Sequence, residues 1–303
     1  MRPFRYRIGP EQAGMTVETF LRRICGYSSR VLVKLKHYPD GLTLNGEHIR
    51  TVDRLSEGDL LGVNFRSLES TILATDLCVP VLYEDADVLV FAKPADMPVH
   101  PAKKNQENTL GNHYAWIMEE RNEPAVFRPV NRLDRDTSGA CVVAKHQHAA
   151  SLLNGKVQKS YLALVCGITP PSGTVDAPIA RRDDFDILRM VSPLGQSAVT
   201  HYRALGVGGG CTLLRLWLET GRTHQIRVHM SHIGHPLEGD LRYGGRTDLL
   251  TRQALHCEQV TFSRVEDGSC VTVQAPLPQD FIAALQQCGI PIPTPEAGTE
   301  EKR

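Results

Sequence analysis

The sequence predicts an α+β protein: a mixed, mainly antiparallel sheet flanked by helices, preceded by a small module of helices and short strands. Two observations carry this. Apolar runs of strand length recur over residues 81–94, 140–144, 159–167, 197–205 and 212–220, and several are joined by short polar or glycine-rich turns of hairpin type. Helical spacing appears only in brief stretches between them, and in two adjacent stretches near the start.

The length of 303 residues suits two domains, and 41% hydrophobic content supports a full core. Basic and acidic residues balance at 34 each. That balance neither marks nor excludes a nucleic-acid binder, because a local basic patch suffices. The eight cysteines form no C-x-x-C pair; Cys141, Cys166 and Cys211 lie in apolar runs and read as small buried thiols of a reducing compartment. No apolar run approaches the roughly 18–20 residues of a membrane span. Residues 1–7 are basic, but no apolar signal core follows them. A cytoplasmic protein is expected.

Thr16 is placed to cap a helix whose apolar face holds Val17, Phe20, Leu21 and Ile24, with Arg22 and Arg23 on the polar face. Gly26 ends it. Ser28 or Ser29 caps a second helix around Val31, Leu32 and Leu35, which exposes Arg30, Lys34 and Lys36. Leu42-Thr43-Leu44 reads as a strand, Asn45-Gly46 as a hairpin turn, and residues 60–65 as a further strand. Residues 66–78 read as a linker, with the boundary near residue 70.

Residues 81–94 form a strand, an acidic turn and a second strand. A rigid loop, Met97-Pro98-Val99-His100-Pro101, and a helix over residues 109–117 lead to the stretch Asn131-Arg132-Leu133-Asp134-Arg135-Asp136-Thr137-Ser138-Gly139. This loop packs two arginines, two carboxylates and two hydroxyls ahead of a buried strand, where catalytic groups usually sit. A carboxylate between Arg132 and Arg135 is expected to carry its charge. Taken alone, the cluster also fits a surface turn laced with salt bridges. A helix over residues 148–157 and a strand with Tyr161 come next, then the hairpin of 197–220 turning at Gly206–Gly210. The Gly-rich turn lacks the Lys-Ser or Lys-Thr of a phosphate loop. The second polar concentration is Thr220-Gly221-Arg222-Thr223-His224-Gln225-Ile226-Arg227-Val228-His229-Met230, continuing to Gly239-Asp240 and Tyr243-Gly244. His224, His229, His232 and His235 lack Cys or carboxylate companions at ligand spacing, so no metal is expected. From Pro291 the chain is Pro-, Thr- and Glu-rich and is expected to be a disordered tail.

The Arg-Leu-Asp loop resembles the central motif of the RluA-type pseudouridine synthases, which isomerise uridine in RNA. Residues 81–94, Lys-x-Tyr-x-Ala-x-Val-x-Gly from Lys159, the Gly-Arg-Thr-His-Gln-Ile-Arg block and the 255–281 region resemble further motifs in the family's order. Together they cover residues 79–290. The family commonly has His where Asn131 stands and Gly where Asp96 stands. The resemblance implies the pseudouridine synthase fold, no cofactor, and three site residues: Asp134 as the catalytic carboxylate, Tyr161 in the active site, and Arg227 paired with Asp134 through its planar fork. Arg132, Arg135 and Arg222 would then grip phosphates around a flipped uridine.

The helix–helix–hairpin order of the first 65 residues resembles an S4-type RNA-binding module, in which Arg22, Arg23, Arg30 and Lys34 would track the backbone. The expected organisation is an S4-like domain over 1–70, a catalytic domain over 71–290 and a tail over 291–303, acting as a monomer on ribosomal RNA, with transfer RNA as the runner-up. Two other readings compete. A glycoside hydrolase would use Asp134 with Asp136 or another acid and release uracil. A non-catalytic RNA-binding assembly factor would keep the fold without turnover.

Overall fold

The computed structural model describes residues 4–64, 72–102, 106–123, 126–183 and 188–294. Residues 4–64 have their own sheet and core. β1 (Phe4–Arg7), β2 (Leu42–Leu44), β3 (Glu47–His48) and β4 (Leu60–Val63) pair antiparallel in the order β1-β4-β2-β3. The basic start, read from sequence only as a charged stretch, is therefore an edge strand that turns Arg5 and Arg7 outward. Asn45 and Gly46 take φ of 53° and 95°, as a tight hairpin turn between β2 and β3 requires.

Thr16 Oγ1 accepts from Thr19 N at 3.2 Å and opens α1 (Val17–Thr19). The chain then widens into a π-turn over Phe20–Ile24, closed by Cys25 N donating to Phe20 O at 3.2 Å. The expected continuous α-helix is corrected here. A π-turn holds more residues per turn, so it rotates its later residues off the apolar face. Ile24, expected in the core, is 56% exposed. Ser28 caps α2 (Ser29–Lys36), whose Val31, Leu32 and Leu35 meet Val17, Phe20, Leu21, Leu42 and Leu61.

The expected boundary near residue 70 and the end of the fourth strand at Phe65 lie outside the described residues. Residues 72–78 are not a loose linker. Thr75 N donates to Asn112 O, Asn112 Nδ2 to Leu73 O, and Leu77 N to His113 Nδ1, which docks the segment on α3 (Leu110–Glu120).

The remaining strands are β5 (Val81–Glu84), β6 (Val88–Lys93), β7 (Ser138–Ala144), β8 (Gln158–Cys166), β9 (Ser172–Asp176), β10 (Ile179–Arg181), β11 (Arg189–Val191), β12 (Val199–Gly208), β13 (Cys211–Leu218), β14 (Leu255–Ser263) and β15 (Cys270–Gln274). One sheet runs β5-β6-β7-β14-β8-β13-β12-β9, with β15 beside β14; β10 and β11 make a separate ribbon. The pairing of β7 with β14 is parallel and the sheet's other pairings are antiparallel, the mixed, mainly antiparallel sheet that was expected.

α3 buries Leu110, Tyr114 and Met118 against Val88, Phe91 and Val142. α4 (Gln147–Leu153) stops short of the expected Val157, at a turn where Gly155 takes φ of 74°. α5 (Gln225–His232) packs on β11 and β12, and α6 (Gln279–Gln287) buries Phe281 and Leu285 against Leu162, Leu164 and Leu213. The Gly206–Gly210 turn is shorter than expected: Gly206 and Gly208 belong to β12, past a bulge after Ala204. Cys141 and Cys211 are buried as expected; Cys166 is only half-buried, and Cys78 and Cys270 are exposed. All eight are free thiols. The tail's residues 295–303 lie outside the described part.

Candidate active site

The 131–138 loop is fixed from three sides before any substrate arrives. Asn131, where the family commonly has His, is a buried brace: Val142 N donates to its Oδ1 at 2.7 Å and its Nδ2 donates to Ala140 O at 3.2 Å. Lys93 is 1% exposed, and its ammonium donates to Pro94 O (2.7 Å), Met97 O (2.7 Å) and Arg135 O (3.0 Å). Burial pushes this lysine down to about 8, against the pull of Cys141, Asp136 and Asp134. On the third side, Arg252 donates to Asp136 O and pairs with Asp280, while Gln253 Nε2 donates to Thr137 Oγ1. The loop then enters β7 at Gly139, which takes φ of 119°. A Cβ there would lie 2.2 Å from Cys257 O, so the parallel junction with β14 admits no side chain.

So held, Asp134 faces the start of α5. Arg227 Nη1 donates to Asp134 Oδ2 at 3.2 Å. The expected two-pronged grip on Asp134 is corrected: the fork is engaged by Asp240, with Nε to Oδ2 at 2.6 Å and Nη2 to Oδ1 at 2.9 Å. Arg227 and Asp240 are 5% and 2% exposed. Burial opposes the Arg227 charge, yet Asp240 and then Asp134 outweigh it and hold the guanidinium above its ordinary range. Tyr243 lays its ring 4.9 Å from the guanidinium carbon, and its hydroxyl meets His224 Nδ1 at 2.8 Å and accepts from Arg189 N at 2.9 Å. His224 Nε2 stands 3.9 Å from Asp134 Oδ2, on left-handed backbone with φ of 57°. Gln225 holds this turn: its Oε1 accepts from Thr220 Oγ1 and Arg222 N, and its Nε2 donates to Val199 O and Thr200 Oγ1.

A narrow cleft of about 70 Å3 opens over Asp134, walled by Leu133, Tyr161, Leu218, Ile226 and Leu255, with Arg132 and Arg222 at its edge. Burial, then the nearby Cys257 thiol and Asp134 carboxylate, holds the Tyr161 phenol well above its ordinary range. The cleft thus sets a carboxylate and a cation beside a largely apolar slot with an aromatic wall.

The structure brings Asp134, Tyr161, Arg227, Arg132 and Arg222 together. Arg222 Nε donates to Ser197 O at 3.0 Å. Arg135 turns away to pair with Asp96. Asp96 takes φ of 58°, the region that favours Gly, the residue the family commonly has there. Arg22, Arg23, Arg30 and Lys34 are exposed on the N-terminal module, Arg22 within 3.5 Å of Glu18. His229 meets Thr200 Oγ1 and Ala177 O with its two ring nitrogens, and His235 meets Cys166 O. Among the described residues no group of three His, Cys, Asp or Glu is placed to hold a metal. Sequence reasoning gave no role to Asp240, Tyr243, Gln225 or the Lys93 clamp. Asp240 and Tyr243 were visible as part of a motif block; nothing in the sequence marked their targets.

The family model described as RNA pseudouridylate synthase matches residues 87–232. The chain is 42% identical to an uncharacterised RNA pseudouridine synthase, YjbO, of Bacillus subtilis, over 88% of this chain and 97% of that one. It is 36% identical to the ribosomal large subunit pseudouridine synthase D of Haemophilus influenzae, over 92% of both chains. Human RNA pseudouridylate synthase domain containing 1 superposes with a TM-score of 0.55 at 30% identity, over 66% of this chain and 84% of that one. By fold, site and likeness, this chain belongs to the RluA-type family of RNA pseudouridine synthases.

Proposed function

We propose that this pseudouridine synthase acts on a uridine of ribosomal RNA, with Asp134 as its catalytic carboxylate. One observation carries the residue assignment: Asp134 meets the buried Arg227 at 3.2 Å inside the aromatic-walled cleft. Isomerisation breaks the bond between uracil N1 and ribose C1′, turns the base, and joins C5 to C1′; the C5 proton is lost and N1 gains one, so RNA mass is unchanged. A carboxylate can open this sequence as a nucleophile. Arg227, braced by Asp240, aims that carboxylate and balances its charge. A phenol kept protonated by burial suits Tyr161 to stacking on the uracil face rather than to accepting the C5 proton. Arg132 and Arg222 at the cleft edge suit the phosphates of the flipped nucleotide.

Residues 1–70 make up, in this reading, an S4-like RNA-binding module beside a catalytic domain over 71–290, with Arg30 and Lys34 on its exposed face. Ribosomal RNA is favoured because the Haemophilus relative, matched along nearly its whole length, is named for the large ribosomal subunit. Transfer RNA is the alternative, and a monomer in the cytoplasm fits either. Among the described residues no helix is long and apolar enough to cross a membrane. Pseudouridine mapping of ribosomal and transfer RNA from cells with and without this protein tests the target. Loss of a ribosomal site supports the reading; loss confined to transfer RNA replaces it.

A further inference from the structure

Away from the cleft, a groove of about 600 Å3 lies where the N-terminal module meets the catalytic body. That is within the roughly 300–1,000 Å3 typical of ligand sites. Its module side supplies Arg5, Tyr6, Arg7 and Ile24; its catalytic side supplies His148 and Leu152 of α4, and Val265 just past β14. The two sides are locked by aromatic contacts. Tyr27 stacks on His148 with centroids 3.9 Å apart and planes 14° apart, and Phe4 sets its edge against His146 and His148.

Three features call for an occupant. Ile24 is 56% exposed because the π-turn rotates it out of the core and onto this groove. Arg5 and Arg7 project from the outward face of β1, and among the described residues neither pairs with a carboxylate. His148 is 3% exposed, yet its Nδ1 has no hydrogen-bond partner among the described residues. Buried Asp87 faces Tyr6 and His148 and is engaged by His146 Nε2 at 2.7 Å; Glu266 and Asp267 follow Val265, and Asp267 is engaged by Ser269 and lies 3.8 Å from Arg264.

We infer that this groove is a second RNA site, one that takes an unpaired nucleotide stretch with phosphates on Arg5 and Arg7 and a base against Tyr6, Ile24, Leu152 and Val265. The inference rests on RNA being the substrate and adds where a part of it remote from the target uridine is held. A cationic rim over an apolar floor matches an exposed base on a phosphate backbone. A duplex keeps its bases stacked inside and offers nothing to the floor. Leu255 walls the cleft and Val265 the groove, at opposite ends of β14. They are ten residues apart, so at about 3.3 Å per residue the two sites are separated by roughly 30 Å. The RNA held in the groove is therefore a different stretch from the flipped nucleotide.

The test uses the full chain with two probes: a labelled oligouridine of about ten nucleotides and an RNA duplex of the same length. Arg5→Gln/Arg7→Gln should weaken oligouridine binding about tenfold. It should also lower the slope of log affinity against log salt by about 1.4, two phosphates at about 0.7 each. Ile24→Ser should weaken binding about threefold to tenfold with the slope unchanged, because it removes apolar contact and no charge. All three side chains are exposed, so melting temperatures should match the parent. The inference is overturned if the arginine variant binds as the parent does, if Ile24→Ser is silent, or if duplex binding falls equally. It is also overturned if Arg132→Ala/Arg222→Ala removes all oligouridine binding that the groove variants leave untouched. A parent protein that makes no pseudouridine strikes at the proposed function and leaves the groove standing.

Discussion

The cleft and the outer face of the N-terminal module both gather charge, and they treat it in opposite ways. In the cleft, Arg227 is held by Asp240 and Asp134 by Arg227, and behind its loop Lys93 is held by three carbonyls. On the module, Arg30, Lys34 and Lys36 stand in solvent, with no ion pair among the described residues. The contrast reflects the work each charge must do. Bond-making needs groups fixed to within fractions of an ångström, which buried partners supply at the risk of collapse when one is removed. Drawing in a polyanion needs only positive potential over many ångströms, which mobile lysines and arginines provide without fixed geometry.

If that contrast is right, damage in the cleft should be severe and local, and damage on the module mild and salt-dependent. Asp134→Asn should lower single-turnover pseudouridine formation by about 10^4-fold or more, with RNA binding within about twofold of the parent. Asp136→Asn should cost less than about tenfold. A larger loss from Asp136→Asn would mean that the wrong carboxylate has been chosen.

Asp240→Asn comes next. It strands a buried guanidinium, so the urea midpoint should report a loss of about 3–5 kcal/mol. Turnover should fall on the order of 10^2-fold, because Arg227 no longer holds its aim. Arg227→Lys should resemble it in turnover, since one ammonium cannot serve two carboxylates with a planar fork. Normal turnover by both would show that the brace is ornamental to the chemistry.

Lys93 offers a pH test. Near pH 7 both folded and unfolded chains carry its charge, and the folded state bears the cost of burying it. The folded lysine gives up its proton near 8, whereas the unfolded one keeps it to about 10.4. Across that window the unfolded state binds more protons, so the parent should gain stability relative to Lys93→Met as pH rises, by at most about 3 kcal/mol. Urea melts at stepped pH check it, and a flat difference from pH 8 to 10 would remove the burial account. Turnover should decline over the same window as the ammonium clamp on Arg135 O is lost.

The smallest effect belongs to the module. Arg30→Ala/Lys34→Ala should leave melting and single-turnover rate unchanged at saturating RNA. Affinity should fall severalfold, and the salt slope by about 1.4–1.8. A salt-independent loss would place these residues in a fixed contact and erase the contrast.

What could be read from the sequence divides along similar lines. Asp134 stood out because a loop dense in charge precedes a buried strand, whereas Tyr161 and Arg227 were legible only through the resemblance of their strings to motifs of the family. Asn45-Gly46 and the caps Thr16 and Ser28 were legible because turn and cap chemistry is local. The partner of the Arg227 fork was not. Asp240 lies beyond the end of α5, and any of several carboxylates could have faced that fork before the chain folded. The Lys93 clamp was hidden because a lysine is ordinarily read as solvated, and only the converging carbonyls of two loops make its burial tolerable. Ile24 misled because a π-turn leaves no trace in hydrophobic spacing.

The junction at Gly139 also sets a clock. β7 and β8 are consecutive strands in the chain but do not pair; β14 lies between them and seats Cys257 against Gly139. Until the ribosome has released residues 255–263, the strand that completes the cleft does not exist, although Asp134 emerged long before. At about 5–20 residues per second that delay is roughly 6–25 s. The reactive carboxylate therefore waits unassembled over that interval, and catalytic competence arrives only once β14 has been made.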